Sequence, residues 1–161
     1  MDFNLNEQQL ALTETVRKFA KKELPDIANE IEKNDKPPGR DVLKRFAELG
    51  FLGVNLPTEF GGAGLSHFDA VLVLEEIAKI SIAVAFPIFE SSFGPALAIS
   101  SFAPIELKNN ILPKVCSGEM VIAVSMSEPN AGSALTDLVT KAEVKQDKII
   151  LNGQKRWCSG A

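Results

Sequence analysis

The spacing of apolar residues changes once along this chain, just after Gly118, and that change constrains the fold more than any other feature. Before it, apolar side chains recur every three or four residues, as on one face of a helix. After it they alternate or come in short runs, as in strands. Leu12, Val16, Phe19, Ala20, Leu24, Ile27 and Ile31 mark the first helical face. Asn6 stands as its cap, with Gln9 as the second half of a capping box. Pro25 lacks an N–H and is expected to break or kink this helix after Leu24. Pro37-Pro38-Gly39 is a stop and a turn. Val42, Leu43, Phe46, Ala47 and Leu49 then form a short helix closed by Gly50. Phe51 to Leu65, with Pro57 and Gly61-Gly62-Ala63-Gly64, reads as a loop. Ser66 and Asp69 reopen a helix to about Lys79, apolar almost all round at Ala70 to Leu74 and so expected to be buried. One apolar helix is predicted over Ile82 to Ser101. Another is predicted from Pro104 to about Cys116, closed by Ser117-Gly118.

Beyond that point Val121 to Met126 reads as a strand, and Leu138 to Val144 alternates. Asn152-Gly153 lies between the strand-like runs Lys148-Ile149-Ile150-Leu151 and Gln154 to Ser159, the strongest short-range signal for a hairpin turn. The expected fold is mainly α with a C-terminal β portion (α+β). An orthogonal or up-down helical bundle at 1–118 precedes a β-domain at 119–161. About four short strands cannot close a barrel and leave edges unpaired, so the β-barrel is expected to be incomplete and the chain to be a fragment or truncation.

Composition removes several function classes. The net charge of −4, with no basic cluster among aromatics, makes no electrostatic case for nucleic acid. The longest uninterrupted apolar run, Ile82 to Phe89, is too short for a bilayer span of roughly 18 residues or more. Cys116 and Cys158 are isolated, and neither stands in metal-ligand spacing with His67, the single histidine, so no metal site is expected. Reduced thiols and an opening Met1-Asp2-Phe3-Asn4 without a secretory pattern suggest a cytoplasmic protein.

Ser127-Glu128-Pro129-Asn130-Ala131-Gly132-Ser133, followed by Leu151-Asn152-Gly153-Gln154-Lys155-Arg156-Trp157, resembles the middle-domain signature of acyl-CoA dehydrogenases. Glu48 to Gly53 with Pro57 to Leu65, then Glu75-Glu76-Ile77-Ala78, then Lys108 to Glu119 resemble helical elements of the same family, so the likeness covers nearly the whole chain. The resemblance implies an FAD-dependent enzyme that dehydrogenates an acyl-CoA thioester at α and β. It also implies electron-transfer flavoprotein or a similar acceptor as partner, and a homo-oligomer at full length. It places Val124, Met126, Ser127, Gly132, Ser133, Trp157, Cys158 and Ser159 at the flavin, and Ser133 and Glu90 at the substrate. The family's base, a glutamate in a carboxy-terminal helical domain, has no counterpart here, and Glu75, Glu76 and Glu128 are not nominated for that role.

The residue types suit these roles. A glycine-containing loop lets backbone N–H groups approach a phosphate, and a serine hydroxyl can donate to it. If Gln154 to Ser159 is a strand, Trp157 and Ser159 share one face and Cys158 points away. The sequence departs from the family at Val124, where many relatives carry an aromatic residue, at Ala134 in place of Asp, and at Cys158-Ser159-Gly160 in place of Ile-Thr-Asn. Two other readings are an acyl-CoA oxidase or another flavoenzyme of the superfamily, and a non-catalytic truncated subunit for binding or assembly.

Overall fold

A 28-residue amphipathic helix, α1 (Glu7–Asn34), supplies the face on which the amino-terminal part is built. The computed structural model describes residues 4–159. The opening tripeptide on which the leader reading partly rests, and Gly160 of the last motif, lie outside the described residues. The Asn6 side chain accepts the Gln9 N–H at 2.9 Å and the Gln9 side chain accepts the Asn6 N–H at 3.1 Å, so the expected capping box forms. Pro25 does not end the helix, which runs on through it for more than two turns. Pro25 and Lys21 are both exposed, so water can satisfy the carbonyl that loses its donor, and neighbouring turns buried at Leu24 and Ala28 hold the helix.

Among the described residues five further α-helices follow: α2 (Arg40–Glu48), α3 (His67–Ala78), α4 (Ile82–Ser92), α5 (Gly94–Phe102) and α6 (Ile105–Cys116). α1 packs on α3, α3 on α4, α4 on α5, and α5 on α6. The core joins Val16, Ala20 and Leu24 of α1 to Phe46 of α2 and to Ala70, Val73 and Ile77 of α3. α3 is not buried on every side, since Val71 is exposed. Arg17 grips the buried Glu76 with two 2.9 Å hydrogen bonds, and Lys79 adds a third at 2.7 Å. That guanidinium first, with the Lys79 ammonium after it, holds the Glu76 carboxyl down at about 2.

The single apolar helix predicted over 82–101 is two helices. Pro95 has no N–H and disfavours helical backbone in the residue before it. Phe93 is extended (φ −125°, ψ −149°) and Gly94 takes φ 26°, so the chain turns a corner between α4 and α5. By length and composition alone, the combined stretch Ile82–Phe102 (21 residues, mean hydropathy 1.6) meets the threshold for a bilayer span, which the shorter run counted from sequence does not. The corner and the full burial of Val84, Ile88 and Ala96 are features of a core helix in a bundle. The Ser91 and Ser92 hydroxyls accept the Gly53 and Val54 N–H groups at 3.2 Å, which seats the 51–56 segment on α4.

The chain divides into two compact units, Met1–Ile122 and Ala123–Ala161. Among the described residues, the second contains two strands rather than four: β1 (Lys141–Lys145) and β2 (Lys148–Asn152), antiparallel, with Lys145 opposite Lys148. The hairpin therefore turns at Gln146-Asp147, with Gln146 at φ 56°, and not at Asn152-Gly153. This register puts Ala142, Val144, Ile149 and Leu151 on one face, whereas a turn at Asn152 would not pair those two runs. Gly153, at φ 153°, serves a different need: a Cβ there would collide with Thr140. The runs 121–126 and 154–159 form no ladder among the described residues and are not strands, because apolar alternation without a hydrogen-bonded neighbour does not make one.

Candidate functional site

One buried carboxylate organises the second unit. Glu128 is only 5% exposed. Its oxygens accept the N–H groups of Val139 (2.7 Å) and Thr140 (3.0 Å) and the ammonium of Lys155 (2.9 Å). The Thr140 side chain, the Val139 N–H and the Lys155 ammonium keep its carboxyl at about 2. The Thr140 hydroxyl acts by proximity, since its buried oxygen makes no hydrogen bond of acceptable geometry. Glu128 stands inside the Ser127 to Ser133 motif, which by itself gives the carboxylate no role. Its partners lie 11 to 27 residues away, and no local pattern announces them. Glu128→Ala would leave the Val139 and Thr140 amides without their acceptor and the Lys155 ammonium with the Met126 carbonyl alone. Hydrogen exchange at Val139 and Thr140 is then expected to quicken by roughly ten-fold or more, and unchanged protection would refute the anchoring role.

Around this anchor the two motif stretches lie side by side. The Arg156 N–H donates to the Ser127 carbonyl at 2.9 Å, Lys155 Nζ to the Met126 carbonyl at 3.0 Å, and Cys158 Sγ to the Val124 carbonyl at 3.6 Å. Glu128 and Ala131 exchange backbone hydrogen bonds of 2.8 and 3.3 Å, closing a tight bend over Pro129-Asn130. On the far side of that bend, a Cβ built on Gly132 would meet no atom within 4 Å, and its φ is not left-handed. Neither space nor backbone conformation within the chain calls for glycine there. Among the described residues, the Gly132 and Ser133 N–H groups and the exposed Ser133 hydroxyl donate to no acceptor.

Val124 and Met126 are exposed apolar side chains, and Trp157 is 80% exposed with the Arg156 guanidinium 4.9 Å from its ring centroid. The strand alternation expected to align Trp157 with Ser159 does not apply. Trp157 adopts φ 61°, a left-handed conformation uncommon for a bulky residue, outside any ladder. Cys158 is half-buried and Ser159 is exposed.

Glu90 belongs to the helical unit. It is 5% exposed and faces a cavity of about 10 Å³, room for a single water. Leu43, Leu52, Pro87, Val115 and Met120 line that cavity. Burial pushes the Glu90 carboxyl up to about 7. Among the described residues, it has no hydrogen-bond or ion-pair partner. No group of three or more His, Cys, Asp or Glu residues among the described residues is arranged to hold a metal. Burial also raises the Cys116 thiol to about 11, which makes it a packing group.

The same fold recurs in solved acyl-CoA dehydrogenase structures. A glutaryl-coenzyme A dehydrogenase in complex with glutaryl-CoA superposes with a TM-score of 0.90 at 33% identity, over 98% of this chain and 40% of that one. An acyl-CoA dehydrogenase complexed with FAD from Bacillus anthracis gives 0.86 at 26% identity, over 96% and 27%. Residues 6–119 match the family model described as acyl-CoA dehydrogenase, N-terminal domain, and the chain belongs to that family. The mitochondrial isovaleryl-CoA dehydrogenase of Bos taurus is 40% identical over 154 residues, which are 95% of this chain and 36% of that protein. The chain thus spans well under half the length of these relatives.

Proposed function

We propose that this chain is the amino-terminal portion of an FAD-dependent acyl-CoA dehydrogenase acting in the cytoplasm, supplying flavin and substrate contacts for α,β-dehydrogenation of an acyl-CoA thioester. The observation that carries the reading is the Glu128-anchored pairing of 124–133 with 155–158. It leaves two backbone N–H groups and a hydroxyl unengaged beside an open glycine, donors that suit a pyrophosphate. It also leaves an indole and two apolar side chains exposed, surfaces that suit an extended ring system. The residues therefore fit FAD: Gly132 and Ser133 toward the phosphates, and Val124, Met126, Ser127, Trp157, Cys158 and Ser159 toward the rings. Bound FAD supplies the hydride acceptor.

Ser133 and Glu90 are the proposed substrate contacts. We assign the α-proton base to no residue of this chain. Glu76 and Glu128 are held ionised near 2, far too acidic for efficient proton abstraction at neutral pH. Electrons leave to electron-transfer flavoprotein or a similar acceptor, in a homo-oligomer.

The test uses the full-length protein. Flavin absorbance should copurify with it and bleach anaerobically on addition of an acyl-CoA. Trp157→Ala should weaken flavin binding roughly 2- to 12-fold, the range set by about 0.5–1.5 kcal/mol of aromatic contact. Protein that neither retains nor rebinds flavin rules the reading out.

A further inference from the structure

We propose that Asn152 is a modification site: its side-chain amide is lost through attack by the Gly153 nitrogen, which leaves aspartate or isoaspartate at the open end of the β1–β2 hairpin. This chemistry depends on the geometry of the hairpin and not on the dehydrogenase reading. Asn152-Gly153 does not make the hairpin turn, which lies at Gln146-Asp147. Asn152 instead forms the last rung of the ladder, opposite Lys141. Asn152 and Gly153 are both exposed. Among the described residues, the Asn152 side chain has no hydrogen-bond partner and the Gly153 N–H donates to no acceptor. Asn152 is also the only asparagine in the sequence that glycine follows. Asn29, Asn109 and Asn110 are held inside α1 and α6, and Asn130 precedes Ala131 within the closed bend.

The Gly153 amide nitrogen attacks Cγ of Asn152. The new C–N bond closes a succinimide ring, the Cγ–Nδ2 bond breaks, and Nδ2 leaves as ammonia with the proton given up by the Gly153 amide. Water then opens the ring. Attack at the main-chain carbonyl gives isoaspartate, with the chain running through Cγ, and attack at Cγ gives aspartate. No oxidant or reductant takes part. A side chain on the following residue would hinder the attacking nitrogen, and glycine has none. That glycine is fixed in place, because a Cβ at 153 would collide with Thr140. The extended backbone of Asn152 must rotate before the nitrogen reaches Cγ, and only the terminal rung resists. Every residue of both strands is exposed, and a two-stranded hairpin is marginal in water, so that rung opens at low cost. Isoaspartate lengthens the main chain by a methylene just ahead of Lys155 and Arg156, whose bonds to Glu128 and Ser127 join the two motif stretches. Either product adds a carboxylate to the rung shared with Lys141.

The experiment holds the full-length protein in mildly alkaline buffer below its melting temperature, beside a synthetic peptide of residues 148–155. Peptide mapping by mass spectrometry follows the gain in mass as –NH2 becomes –OH, and electron-transfer fragmentation separates isoaspartate from aspartate. An ammonia assay follows the leaving group. Asn152 in the folded protein is expected to convert at a rate within about 100-fold of the peptide, the slowing that local opening of a terminal rung imposes, whereas a site released only by global unfolding would be slowed far more. Isoaspartate should exceed aspartate. N152Q, whose longer side chain closes the ring poorly, should release correspondingly less ammonia, with its melting temperature confirming the fold. Conversion more than about 100-fold slower than in the peptide overturns the inference, since it would place the rung under global protection. Faster conversion at any other asparagine, or ammonia release unchanged in N152Q, overturns it as well.

Discussion

Phe46→Ala is expected to destabilise the helical unit by about 3–5 kcal/mol, the usual cost of emptying a fully buried aromatic site. Phe46 has no exposed surface. Its ring meets Phe19 edge-on at a centroid distance of 6.1 Å and Phe51 at 6.3 Å, and those two rings lie 5.5 Å apart. The triad joins α1, α2 and the segment after α2, so no single element can relax to fill the gap. Domains of this size are held by roughly 5–15 kcal/mol in total, so the loss is a large fraction of the whole. The melting temperature should fall by at least about 10 °C. Phe46→Leu, which keeps most of the volume, should cost about 1.5 kcal/mol or less. Equal melting temperatures for the alanine and leucine variants would contradict a packed triad.

Glu90→Gln is expected to stabilise the protein at pH 8 and to change little at pH 5. The folded carboxyl titrates near 7 and an unfolded one near 4.5. Between those values the folded state binds the extra proton, so stability falls as pH rises through the window. The cost is absent below 4.5, complete above 7, and amounts to about 3 kcal/mol at most. Glu76 acts in the opposite sense. Its folded value near 2 gives stability that is present above 4.5 and lost as pH falls toward 2. The two windows do not overlap, so the helical unit should be most resistant to urea near pH 4.5 to 5. Urea midpoints of wild type and E90Q that fall in parallel between pH 5 and pH 8 would show that Glu90 is ionised without cost, contrary to its burial. A buried carboxyl that lowers stability at neutral pH is the pattern of a group retained for a role other than folding.

Most of the helical unit was legible in the linear pattern. The Asn6 and Ser66 caps formed as their spacing predicts, each with its partner three residues on. Capping is settled within one turn, so it can be read locally. Pro25 and the 82–102 stretch could not be read in the same way. A proline's effect depends on whether the carbonyl it frees meets water, and a corner depends on what the two arms pack against.

The β-unit was the least legible part. The Asn-Gly rule pointed to the wrong turn, because a hairpin closes where two apolar runs come into phase, and that register belongs to the pair of strands. The candidate site divides along the same line. Its motif residues were all named from sequence, yet the shared face assigned to Trp157 and Ser159 assumed a strand that does not form.

By itself the sequence determined the family and the helix faces and caps, since each depends on neighbours within a few positions or on a contiguous motif. Only the tertiary structure decided that Glu128 is the anchor of the second unit and that Glu90 is buried without a partner. Hydrogen bonding and desolvation of a carboxylate are set by groups brought close in space, and their separation along the chain carries no information about that distance.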